Sequence, residues 1–293
     1  MTTKQSRVIR FRQSPIAAPS RSRLKSARLR RSTRLLWGAA GIAACLWAGG
    51  AAAQAPPVAV EERSVEYKSG DVDVPAYLAV PSGPGSHPAV LFIHGRSGWH
   101  DRLKAEALRL ARRGFVVLAP DYHTGRFIAE NPIEHDPATE QDVEGGLDYL
   151  KTVREARADR VGVVGISRGG YHMALLAVRR REVAAIVGYY PHLANPNAPE
   201  PVQVYRYMPE VDEIRVPALL MVGDRDHQLR REQVVRVGER LKELGRPVEV
   251  VVYPGAQRAF DFRRYGRTVG DDLAREDAFN RTVVFLSRIL RGQ

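Results

Sequence analysis

The chain has 293 residues, with 45 Lys or Arg against 33 Asp or Glu and a formal charge of +12. Eleven of those basic residues fall in residues 1–34, which contain no acid. The rest of the chain carries a formal charge of +1, so the high total is no argument for a nucleic-acid surface.

In chain order, the basic segment 1–34 is followed by the apolar run Leu35 to Ala48 and then by Gly49-Gly50-Ala51-Ala52-Ala53-Gln54. A basic n-region, a short apolar h-region and small residues at the exit predict a signal peptide over 1–53, cleaved after Ala53, and periplasmic or secreted export. Extended to Ala53, the apolar run also approaches the ~20 residues of a membrane anchor. Ile42-Ala43-Ala44-Cys45 resembles a lipobox, but the apolar Leu46-Trp47-Ala48 after the cysteine is unusual for one; Arg30-Arg31 resembles a twin-arginine pair, but Ser32, Thr33 and Arg34 follow where apolar residues are expected. Cleavage would remove Cys45, the one cysteine, leaving no disulfide, thiolate metal site or cysteine nucleophile. Residues 54–293 then form a single domain of about 240 residues, enough to bury a sheet between two helical layers.

Alternating segments near Val58 to Tyr67 and Val72 to Val80, separated by Ser69-Gly70-Asp71, predict an antiparallel hairpin. Six short apolar runs follow: Ala89 to His94, Phe115 to Pro120, Val161 to Val164, Ala184 to Tyr190, Ala218 to Val222 and Val248 to Tyr253. Such runs suit strands buried on both faces. Helical stripes lie between and after them: Leu103 to Ala111, Val143 to Leu150, Met173 to Leu176, Val234 to Leu244 and Ala278 to Leu290. Strand and helix alternate, so the fold class is α/β, a mainly parallel sheet covered on both faces, with ligands expected at the carboxyl ends of its strands. The Pro- and Asn-rich stretch Pro191 to Pro201 is the one long irregular segment, a candidate lid or pocket wall.

Gly165-Ile166-Ser167-Arg168-Gly169 lies between a strand and a helix, the setting that a nucleophile elbow requires. Ser167 is the candidate nucleophile. His94-Gly95-Arg96-Ser97-Gly98 follows an earlier strand, and the backbone N–H groups of Arg96 and Arg168 are the candidate oxyanion hole, each worth roughly 3 kcal/mol in acyl transfer. His94 itself is expected to be a buried support. Gly223-Asp224-Arg225-Asp226 follows another strand and can supply an acid that orients a base, with Asp226 preferred over Asp224. The sequence contains no metal cluster, dinucleotide loop or phosphate loop, so neither metal nor cofactor is expected.

From about Val74 to Leu290 the chain resembles the dienelactone hydrolase family of α/β-hydrolases. The residues that carry the resemblance are Val74-Pro75-Ala76-Tyr77, Leu91-Phe92-Ile93-His94-Gly95, Pro120-Asp121-Tyr122, the elbow ending in Gly169-Gly170, and Tyr253-Pro254-Gly255-Ala256. The resemblance implies the α/β-hydrolase fold and hydrolysis of an ester or lactone through an acyl-enzyme, here on a serine where founding members use cysteine. It also places the family's catalytic histidine at Arg258. A guanidinium stays protonated and accepts no proton, and no histidine follows His227. His123, His172, His192 and His227 are the remaining candidates for a base. Two functions follow: a serine hydrolase of small esters or lactones, or a degenerate member in which Arg258, with Arg96 or Arg168, binds a carboxylate. The expected partner is a small ester, lactone or carboxylate, with no nucleic acid, and no membrane once the leader is removed.

Overall fold

Eight strands form one twisted sheet in the order β1-β2-β4-β3-β5-β6-β7-β8. They are β1 (Val60–Ser69), β2 (Val72–Pro81), β3 (His87–Ile93), β4 (Val116–Pro120), β5 (Ala156–Ile166), β6 (Val183–Tyr189), β7 (Ala218–Gly223) and β8 (Val248–Tyr253). The computed structural model describes residues 56–199 and 206–292. The leader 1–53, Cys45 and the end of the Pro191–Pro201 stretch lie outside the described residues.

β1 pairs antiparallel with β2, and β2 antiparallel with β4; every other pairing is parallel. The order follows from the apolar runs. β3, β4, β6, β7 and the second half of β5 are buried almost throughout because helices cover both faces, whereas β1 alternates exposed and covered residues as an edge strand does. β5 begins five residues before its expected start at Val161. Ala156 and Arg157 pair with His87 and Pro88 of β3 before the register shifts, but Arg157, Asp159 and Arg160 face solvent, so no apolar run marks this start.

Among the described residues, five helices complete the layers: α1 (Asp101–Ala111), α2 (Ala138–Thr152), α3 (Gly169–Arg179), α4 (Gln228–Glu243) and α5 (Val269–Arg291). α1 buries Leu103, Ala107, Leu110 and Ala111, a stripe at helical spacing. α5 starts at a reciprocal cap in which the Thr268 side chain accepts from the Asp271 N–H and the Asp271 carboxylate accepts from the Thr268 N–H. Two 3-10 turns, Thr124–Arg126 and Pro209–Glu213, join these elements and are each too short to show a period along the chain. Among the described residues, no helix is long and apolar enough to cross a membrane.

Candidate active site

The parallel strands end on one side of the sheet, and the loops that leave them surround a cavity of about 560 Å³. Ser167 lies at its floor, directly after β5, with φ of 52°. A side chain held in this left-handed region is strained and persists only where its surroundings fix it. They do so through the main chain: the Ser167 N–H donates to Tyr189 O at 3.0 Å, and its carbonyl accepts from the N–H groups of His192 at 2.7 Å and Gly170 at 3.0 Å.

Glycine is required where the turn meets β3. A Cβ on Gly169 would lie 2.4 Å from Ile93 O and 2.7 Å from His94 O, both backbone atoms that cannot yield. On the facing loop, a Cβ on Gly95 would lie 2.9 Å from Ile166 O and 3.0 Å from Ser167 Cβ. Gly95 therefore lets the β3 loop lie against the elbow and brings Arg96 to the cavity wall. The backbone N–H groups of Arg96 and Arg168 donate to no protein acceptor among the described residues.

Arg258 reaches the serine: its Nη2 donates to Ser167 Oγ at 2.8 Å. The serine hydroxyl proton has no protein acceptor among the described residues. Asp226 is buried, with Oδ1 accepting from the His227 N–H at 2.6 Å and Oδ2 unpartnered. Burial pushes its carboxyl upward, against the opposing charge of Arg258, the His227 N–H and Arg230. Asp224 has a different task, since its Oδ1 accepts from the Gly255 N–H at 2.7 Å and ties β7 to the turn before Arg258. Neither aspartate forms an ion pair with Arg225 or Arg230.

The histidines separate into two groups. His192 and His227 line the cavity with Ser167, whereas His123 faces a second cavity of about 170 Å³ together with Tyr122 and His135. His94 is buried and stacked on Tyr122 at 4.0 Å, its Nδ1 bonded to Gly95 O at 2.8 Å, while its Nε2 makes no hydrogen bond and faces Asp121 Oδ1 at 3.8 Å. His172 is packed, with neither ring nitrogen bonded. Burial lowers the His192 imidazole to about 2, assisted by the charges of Arg230, Arg168 and Arg258, which makes it a weak proton acceptor.

The Arg168 guanidinium does not extend into the cavity as a free clamp. It donates to the carbonyls of Pro132, Ile133 and Glu134 and so fastens that loop over the elbow. The loop also meets the stretch after β6: the His135 N–H donates to Asn197 Oδ1 at 2.9 Å, and Asn197 Nδ2 donates to His135 O at 2.7 Å. Pro196, Asn197 and Ala198 form cavity wall, as expected of the irregular segment. Arg230 adds a further cation to the cavity lining. Burial and the neighbouring Arg258 charge bring it down to about 10.

The dienelactone hydrolase family pattern matches residues 74–290, nearly the whole sheet and its helices. The chain belongs to the dienelactone hydrolase family. A relative from Bradyrhizobium named "Probable 2-oxo-3-(5-oxofuran-2-ylidene)propanoate lactonase" is 29% identical over 229 residues, covering 74% of this chain and 90% of its own. A "Putative carboxymethylenebutenolidase" of Aquifex aeolicus is 27% identical over 213 residues, 67% of this chain and 85% of its own. Among solved structures, a "Putative Dienelactone Hydrolase" from Klebsiella pneumoniae superposes with a TM-score of 0.66 at 21% identity, covering 78% of this chain and 99% of that one. That likeness concerns the fold.

Proposed function

We propose that the chain is an exported serine hydrolase that opens an ester or lactone through an acyl-enzyme on Ser167. The observation that carries this reading is the geometry at Ser167, a hydroxyl held at φ of 52° beneath a cavity and bonded to Arg258 at 2.8 Å. In the proposed reaction Ser167 Oγ forms a bond to the carbonyl carbon while the N–H groups of Arg96 and Arg168 receive the developing oxyanion. The carbon–oxygen bond to the leaving group then breaks, and water releases the acid and restores the serine.

Arg258 changes how the proton moves. Its N–H donor favours the serine alkoxide over the hydroxyl, but the proton must pass to hydroxide or solvent, because a guanidinium accepts none. No imidazolium is then available to protonate the departing oxygen. The suitable substrate is one whose leaving oxygen is weakly basic, a phenolate or an enolate, and the lactonase and butenolidase names of the relatives agree with that class. The guanidinium groups of Arg258 and Arg230 favour a substrate that also carries a carboxylate.

The Arg258–Ser167 contact favours a second reading as well, in which the site binds a carboxylate and turns nothing over. A fluorophosphonate probe tests both. Labelling of Ser167 in the mature protein, rising with pH and absent in Ser167→Ala, supports the hydrolase; no labelling at any pH, together with carboxylate binding that requires Arg258, supports the binding protein.

A further inference from the structure

Two loops must be held in register for Arg258 to meet Ser167, and one buried polar pair joins them. Tyr190 follows β6 with φ of 37° and Ala259 follows Arg258 with φ of 62°; with Ser167 these are three of the five non-glycine residues at positive φ among the described residues. The segment Tyr189 to His192 holds both ends of the Ser167 peptide unit through Tyr189 O and the His192 N–H. Tyr190 in turn is anchored by its N–H to Met221 O at 2.6 Å.

The other loop is a compact turn. Ala259 O accepts from the N–H groups of Phe262 at 3.1 Å and Arg263 at 2.7 Å, and the Arg263 guanidinium donates to Arg258 O at 3.1 and 3.0 Å. From this turn Asp261 points inward, 3% exposed, and accepts from the Tyr190 hydroxyl at 2.6 Å on Oδ1. Its Oδ2 has no partner. Phe260 packs beside it, edge-on to Tyr190 at 5.6 Å.

A buried carboxyl with one open oxygen is a costly way to fill this volume, and an apolar side chain would fill it at lower cost. Stability alone therefore does not account for it. We propose that Tyr190 and Asp261 are the positioning pair of this site, their hydrogen bond holding the Arg258 turn against the segment that grips Ser167 and so setting the distance between those two side chains. The proposal extends the hydrolase reading by naming what aligns its two central residues, and neither member of the pair contacts substrate.

The test combines the rate of fluorophosphonate labelling at Ser167 with amide hydrogen exchange over residues 255–263, in the full chain. Tyr190→Phe keeps the ring and removes the donor. It should slow labelling by roughly tenfold or more and raise exchange in the turn, since small misplacements of reacting groups carry large rate costs. Asp261→Asn keeps an oxygen acceptor for Tyr190 and should stay within about threefold of the parent. Asp261→Leu removes the acceptor at similar volume and should match Tyr190→Phe in both readouts. The double variant Tyr190→Phe/Asp261→Leu should be no worse than either single change. Equal impairment in Asp261→Asn and Tyr190→Phe, additive losses in the double variant, or parental exchange in Tyr190→Phe would each overturn the proposal. If the parent protein is not labelled at all, the hydrolase reading fails, and the exchange measurements still decide whether the pair positions the turn.

Discussion

Arg258 donates to Ser167 Oγ across 2.8 Å, so a cation that cannot take up the serine proton stands against that hydroxyl. Asp226 lies close enough for the Arg258 charge to oppose the effect of burial on its carboxyl. Arg258→His therefore places an imidazole between a hydroxyl and a carboxylate. Hydrolysis of small activated esters should rise by roughly 10²-fold or more, the scale of general-base catalysis. The pH dependence should also change form: the parent rate climbs through neutrality without levelling, whereas the variant levels above about 6.5, where an ordinary imidazole has lost its proton. A fall in activity would show that Arg258 itself takes part, and His192→Ala and His227→Ala would then identify the base.

The strain at Ser167 has a measurable size. At φ of 52° a serine and an alanine are equally disfavoured, while glycine is not. Ser167→Gly should raise the unfolding free energy by about 1 kcal/mol, and Ser167→Ala should change it by less than about 0.5 kcal/mol. Urea unfolding of the three proteins checks this. A large loss in Ser167→Ala would make the hydroxyl a structural group and weaken its assignment as nucleophile.

Buried imidazoles make the fold sensitive to acid. Burial lowers His94 to about 3, His123 to about 4 and His192 to about 2, and takes His172 well below its ordinary value. An unfolded chain takes up these protons near pH 6.5. The stability they contribute is complete above that pH and is lost progressively from about 6.5 down toward 3 as the unfolded state binds protons that the native state refuses. Asp261 acts in the opposite direction, since burial raises it to about 7 and its destabilising charge disappears as the pH falls. The raised carboxyl of Asp226 acts in the same direction as Asp261, but the four imidazoles outweigh these two carboxyls. The midpoint of thermal unfolding should fall steadily between pH 7 and pH 5, and His172→Phe should flatten that slope; a midpoint that holds or rises over this range would contradict the expectation.

Asn197 and His135 exchange two hydrogen bonds across the top of the cavity, at 2.9 and 2.7 Å. Asn197→Ala removes both, at a cost of about 1 kcal/mol for each in a partly buried place. The sheet does not depend on them. The midpoint of thermal unfolding should fall by only several degrees with the sheet intact, while KM for the best substrate should rise and discrimination between small and bulky esters should narrow. An unchanged substrate profile would mean that the two loops are held elsewhere.

The sheet was legible because each strand announces itself locally. Ala218 to Val222 or Phe115 to Pro120 can be little other than a strand covered on both faces, and Gly165 to Gly169 between strand and helix specifies the elbow. Arg258 could be located from the Tyr253-Pro254-Gly255-Ala256 run before it. The contacts that complete the site were not legible. Arg168 with the carbonyls of residues 132–134, Asn197 with His135, and Tyr190 with Asp261 each join loops 34 to 71 residues apart. No periodicity encodes such pairings; they exist only once the sheet has brought the strand ends together. Asp261, one polar residue between Phe260 and Phe262, reads along the chain as a surface position.

The Arg168 side chain makes the ceiling of the chamber part of the same rigid body as its floor. The residue next to the serine grips the loop overhead by its main-chain carbonyls, so the headroom above the reacting oxygen does not depend on which side chains that loop carries. Ile133 and Glu134 can then be exchanged as panels on a fixed frame. A lineage built on this frame can move from one substrate to another by repainting the ceiling, leaving the distance from ceiling to serine as it was.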